Sequence, residues 1–144
     1  MSALDYKYQF VRLHLDQFAT FEENFDGSKD ATIKIDNFFQ FAFNNELKAV
    51  CCATHVSYVC DGKVLLKAVL KNYFLLHDDT VAKLIKDDYL TLPTILLAEF
   101  ASLSYGSLRG VLYTKTEGTP LEKIVLPPAH FNNVFDKDLK LKIQ

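Results

Sequence analysis

The sequence predicts an α+β fold: a four-stranded antiparallel sheet from the first half of the chain and two C-terminal helices on one side of it. Three observations carry this. Apolar and polar residues alternate with period two through much of positions 8–76, the pattern of half-buried antiparallel strands. Asp61-Gly62, the strongest short hairpin signal in the chain, sits between two such runs. Beyond Pro93 the apolar spacing lengthens to that of a helix.

The first strand is expected over Tyr8–Phe18, with Val11, Leu13 and Leu15 on one face and Arg12, His14 and Asp16 on the other. Glu22–Asp30 is acidic, contains Gly27 and Ser28, and reads as a loop. The second run, Thr32–Phe43, places Ile33, Ile35, Phe39, Phe41 and Phe43 in one parity. Asn44-Asn45 marks a turn or bulge. The third run, Glu46–Val59, is rich in β-branched and small residues. In the fourth, Lys63–Leu76, the core parity is Val64, Leu66, Ala68, Leu70 and Phe74; Lys63, Lys67 and Lys71 take the other, with Leu65, Val69 and Tyr73 between them.

Pro93 suits the first turn of a helix, where its missing N–H costs nothing. From there to Arg109, Ile95, Leu96, Phe100 and Leu103 recur at helical spacing. Ala98, Ala101, Ser102, Ser104 and Ser107 form a stripe of small residues that permits close approach of a second surface. Gly110 is the expected stop, with Gly106 as a competing boundary. Glu117–Pro120 is loop, Pro127-Pro128 forces an extended path, and Phe131–Lys142 is expected to form a short terminal helix.

At 144 residues and 49% hydrophobic, with no internal repeat or low-complexity linker, the whole chain (1–144) is expected to be one domain with a substantial core. Twelve Phe and seven Tyr are a large apolar load for that size, and apolar area that does not fit inside marks interaction sites. The net charge of −2, with only Arg12 and Arg109 as arginines, lacks the basic footprint that nucleic acid or an anionic membrane requires. Three cysteines do not make a disulfide framework. Met1–Lys7 has no signal pattern, and the longest apolar run, Leu92–Phe100, already contains Glu99. A soluble, cytoplasmic protein with no membrane insertion is expected.

No catalytic, metal or cofactor site emerges. Cys51 and Cys52 are adjacent on a strand, so they point to opposite faces and cannot chelate one ion with His55 and Cys60; they read as small core residues. His14, His55, His77 and His130 are scattered over separate elements. Asp78-Asp79 and Asp87-Asp88 flank a short helical segment and read as solvated caps. None of the five glycines falls in a phosphate-loop spacing. The unusual feature is Phe38-Phe39-Gln40-Phe41-Ala42-Phe43: aromatics point both ways along one strand, so one face must be covered from outside a two-layer domain, by a subunit or by another polypeptide.

Leu92-Pro93 leads a helix ending in Leu108-Arg109-Gly110, followed by Pro120 and by Ile124-Val125-Leu126-Pro127-Pro128-Ala129-His130-Phe131. In this the C-terminal half is similar to SecB and SecB-like export chaperones. His130 stands where the family often has Asn. Ile33-Lys34-Ile35-Asp36 resembles the family's second strand, and the likeness spans Tyr8–Phe135. The resemblance implies a four-stranded sheet with two helices, protomers paired through sheet edges and helices, and a homotetramer built as a dimer of dimers. It implies protein export: unfolded polypeptide held without ATP in hydrophobic grooves and passed to the SecA motor. The groove positions that carry over are Ile33 and Ile35, with Phe131 and Phe135 from the terminal segment. Strand parity, not the family, adds Phe39 and Phe41.

One departure bears on partners. The family's SecA contact is acidic, whereas Lys67, with Lys63 and Lys71, stands at the matching place, and the family's acidic tail is missing. This puts the SecA surface in question and suits a specialised client or a toxin–antitoxin-associated role. Two other readings stay open: a domain binding a small apolar ligand or a dedicated partner in its Phe cluster, and, remotely, an enzyme using Cys or His.

Overall fold

The computed structural model describes residues 5–27 and 32–143. Ser28 and Asp30 of the predicted acidic loop lie outside them. The chain is α+β. Four long strands, β1 (Tyr8–Thr20), β2 (Ile33–Asn44), β3 (Ala49–Cys60) and β4 (Lys63–Leu76), form an antiparallel sheet in the order β1-β4-β3-β2. A seven-residue helix, α1 (Asp78–Leu84), leads into β5 (Ile85–Lys86) and β6 (Tyr89–Leu92). The long helix α2 (Thr94–Thr116) follows, and β7 (Leu139–Lys142) closes the chain.

Asp61 and Gly62 take φ of 51° and 76°, the left-handed pair that a two-residue hairpin requires. The β2–β3 turn forms where the asparagines predict it, with the Leu47 amide donating to Asn44 Oδ1 at 2.9 Å. The even positions of β4 are core as expected: Leu66, Ala68, Leu70 and Phe74 are buried beneath α2. Leu65 is buried too, because the β3–β4 ladder slips between Tyr58 and Val59.

In β1 the expected parity is overturned. Irregularities at Phe10/Arg12 and Leu15/Gln17 shift the register twice. The helix-facing set, read from pairing with β4, becomes Tyr8, Phe10, Leu13, Leu15, Phe18 and Thr20, and Val11 is exposed. A bulge inserts an unpaired residue and so exchanges the two faces. Leu13 is also about half exposed, because β1 is an edge strand reaching beyond the helix.

The long helix does not stop at Gly110. It runs through both glycines to Thr116, because Tyr105, Leu108 and Leu112 are buried against the sheet and that packing outweighs the ~1 kcal/mol each helical glycine costs. Leu103 points outward instead of into the core. The 23-residue helix is, by length and composition, long and apolar enough to cross a membrane, more than the sequence run suggested, but half of its most apolar 18-residue window is buried inside the fold.

The predicted terminal helix over Phe131–Lys142 is absent. Asn133 adopts φ 65°, and Leu139-Lys140-Leu141-Lys142 alternates with strand period. These residues pair with β6, giving a second sheet in the order β5-β6-β7. The second helix is α1, ahead of the long helix rather than after it.

Two apolar clusters lie under α2. One joins Phe43, Val50, Phe74, Leu96 and Phe100 to Leu90, Leu92 and Leu141 of the small sheet. The other joins Tyr58, Leu66, Leu70, Tyr105 and Leu108 to Leu121 and Leu126. Beside Cys52 of the first cluster sit three buried polar residues, Thr54, Asn72 and Ser104. Asn72 Nδ2 donates to the carbonyls of Cys52 and Leu70, at 3.1 and 3.2 Å. Among the described residues, Asn72 Oδ1 and the Thr54 and Ser104 hydroxyl oxygens have no hydrogen-bond partner. The two hydroxyls lie near the Cys52 thiol, which is too weak an acceptor to satisfy them.

Candidate functional site

Strand β2 is an edge of the sheet, hydrogen-bonded on one side to β3. Its register places Ile33, Ile35, Asn37, Phe39, Phe41 and Phe43 opposite the helix-facing residues of β3. Phe43 is fully buried; Ile33, Ile35, Phe39 and Phe41 are half-buried. The long helix covers β3 and β4, so this apolar row lies at the margin of its shadow.

The margin is covered by the irregular stretch that follows Ile124. Phe131 meets Phe39 edge-on, with ring centroids 4.9 Å apart, and Tyr105 at 5.4 Å. Phe135 packs against Phe41 at 6.2 Å and Phe39 at 6.5 Å. All six sequence-predicted groove residues therefore lie on one side of the sheet. Phe131, Phe39, Phe135 and Phe41 form a chain of ring contacts in that order, and Ile33 and Ile35 continue the row toward the second cluster. The aromatic run packs onto the C-terminal stretch instead of lining a closed cavity.

Three residues on one stripe of α2 were not marked as a site by the sequence. Tyr105 Oη donates to the Pro127 carbonyl at 2.9 Å, Arg109 Nε donates to the Leu126 carbonyl at 2.9 Å, and Ser102 Oγ accepts from the Phe131 amide at 3.3 Å. Their spacing, i, i+3 and i+7, puts them above one another on the helix. Burial pushes the Tyr105 phenol up, opposed by the neighbouring Arg109 charge, so the hydroxyl remains a donor at neutral pH. The spacing is visible in the sequence, but polar residues at helical spacing are common, so it gives no signal by itself.

Phe38 faces the opposite way. It is 55% exposed and stacks on His55, with centroids 4.3 Å apart and planes at 10°. His55 Nε2 lies 2.7 Å from Gln40 Oε1, and burial lowers the imidazole's affinity for a proton. Beside them a shallow depression of about 310 Å³ is lined in part by Gln17, Asp36, Ser57 and Lys67. Lys67 is exposed on this outer face; the neighbouring Lys71 lies 3.8 Å from Asp16. Cys51 also faces outward, while Cys52 is buried under the helix with its thiol pushed up to about 12 by burial, which the Ser104 and Thr54 hydroxyls oppose. His77 caps α1, its Nδ1 accepting from the Asp79 amide at 3.2 Å. Among the described residues, no three His, Cys, Asp or Glu side chains come together as a metal site.

The course of the chain is similar to that of a SecB-like chaperone of Mycobacterium tuberculosis, solved in complex with a ChAD peptide from the HigA1 antitoxin. The identity is 11% and the TM-score 0.49, over 85% of this chain and 84% of that one. No protein-family model matches the sequence, and no curated protein matches it.

Proposed function

We propose that this chain is an ATP-independent holdase that binds unfolded polypeptide along β2. The observation that carries the reading is the row Ile33, Ile35, Phe39 and Phe41, half-buried on an edge strand and beyond the long helix. An edge strand offers unpaired main-chain donors and acceptors, and the row beside it offers apolar contact. Together they suit an extended chain of little sequence specificity. A folded protein presents no such chain, so selectivity is for the unfolded state. One short segment gains only on the order of 25 cal/mol per Å² of buried apolar surface before ordering costs, and so binds weakly. Several grooves on one particle raise the effective concentration. The reading therefore includes a homotetramer, whose contacts the exposed Phe10, Val11 and Leu13 of β1 and Leu103 and Tyr113 of α2 would supply. A cytoplasmic location belongs to the same proposal.

The test is dilution of a chemically denatured, unrelated protein into buffer containing this chain, without nucleotide, followed by light scattering. Suppression near stoichiometric tetramer, weakened by Ile35→Asp, supports the reading. No suppression by protein shown to be folded overturns it. Export hand-over is the narrower version. With Lys67 on the outer face, SecA is expected to bind weakly and Lys67→Glu to strengthen it. Unchanged SecA binding in that variant argues for a dedicated client instead.

A further inference from the structure

We infer that the stretch from Pro127 to Phe135 is an internal occupant of the groove, which a client must displace in order to take over its contacts. The inference rests on the holdase reading.

Four observations carry it. The stretch is held as a bound peptide would be. Its main chain is gripped by the side chains of Ser102, Tyr105 and Arg109, and two aromatic side chains four residues apart, Phe131 and Phe135, reach the phenylalanines of β2. Contacts to main-chain carbonyls and amides do not depend on sequence, so an extended client can accept them in its place. Next, no residue of 127–138 is fully buried, whereas Leu126 and Leu141 on either side are. The stretch can thus leave without withdrawing a fully buried side chain, and its departure uncovers only the margin of the clusters, at Tyr105, Phe39 and Phe41. Third, it is loosely seated. A gap of about 380 Å³, lined by Thr94, Ile95, Ala98, Asn132, Asn133 and Phe135, separates it from the start of α2, and Val134 is 56% exposed. Fourth, its ends are fixed, by the buried Leu126 before it and by β7 after it. The client this predicts is an extended segment with two aromatic or large apolar residues four apart.

The experiment compares the wild-type chain with Phe131→Ala/Phe135→Ala, both checked for folding by circular dichroism and thermal melting. Each is titrated with a fluorescent peptide of residues 126–135 and with a reduced, carboxymethylated protein as client. Weakening the occupant should raise apparent affinity for both ligands by about ten-fold or more, since a competed site binds in proportion to its open fraction. A folded double variant that binds both ligands no better than wild type overturns the inference. Should the variant not fold, hydrogen exchange on the wild type decides. The Phe131 amide, bonded to Ser102 Oγ, exchanging far faster than the amides of β3 and β4 supports displacement, and its exchange only through global unfolding overturns it. If the variant gains the peptide but neither form holds any unfolded client, the holdase reading fails and the displaceable segment stands.

Discussion

The helix-facing side of the sheet is covered in two ways. Over β3 and β4 the cover is a regular helix, and Leu66, Leu70 and Phe74 are completely buried beneath it, as is Phe100 on the helix's own inner face. Over β2 the cover is a chain without regular structure, and Ile33, Ile35, Phe39 and Phe41 remain half-buried. The residue types are alike; the covering differs. A helix satisfies its own main chain and can seal a surface permanently, whereas an irregular stretch depends on its host for hydrogen bonds and can be exchanged for another.

If the comparison holds, substitutions under the helix are costly to stability and those under the irregular stretch are costly to binding. The largest effect is expected for Phe100→Ala, which removes a ring stacked 4.2 Å from Phe74. Equilibrium denaturation should show a loss of about 3–5 kcal/mol. A loss of under about 1 kcal/mol would mean the helix seals nothing.

Alkaline pH tests the same region. Burial raises the folded-state thiol of Cys52 and phenol of Tyr58, each to about 12. Both groups are neutral below their unfolded values, where the full stability is present. As pH rises from about 9 toward 12, the unfolded chain ionises first and stability falls, by up to about 1.4 kcal/mol per pH unit for each fully shifted group. Denaturation midpoints at pH 8 and pH 10.5 should separate, and Cys52→Ala should narrow the gap. Equal separation in the variant would remove Cys52 from the explanation.

Under the irregular stretch, Phe39→Ala is expected to cost only about 1–2 kcal/mol of stability, because the ring is only partly buried. It should lower affinity for an unfolded client about ten-fold, measured by fluorescence anisotropy. A stability loss matching that of Phe100→Ala would erase the distinction between the two regions. The smallest effect is a gain. Thr54→Val removes an orphaned hydroxyl and should raise stability by about 1 kcal/mol in the same denaturation assay.

The central architecture is legible in the sequence because period two and Asp61-Gly62 are local signals. The parity of β2, which puts Ile33, Ile35, Phe39 and Phe41 on one face, follows from the same rule and survives because that strand has no bulge. The parity of β1 fails because two bulges intervene, and nothing in Tyr8–Thr20 announces them. The end of α2 is missed because glycine is a local stop, while the packing of Leu108 and Leu112 is not local. Leu139-Lys140-Leu141-Lys142 shows strand alternation in plain sight, but four residues are too few to outweigh a helical reading. The roles of Ser102, Tyr105 and Arg109 depend on where residues 126–131 return in space, which no spacing reports.

The fixed ends of the Pro127–Phe135 stretch have a thermodynamic consequence. An occupant tied at both ends cannot diffuse away when displaced; it remains beside the groove at an effective concentration on the order of millimolar. Every bound client then competes against a rival that dilution never removes. Client affinity has a built-in ceiling, and release needs only the tethered rival's return. A holdase of this construction would reset without an energy source.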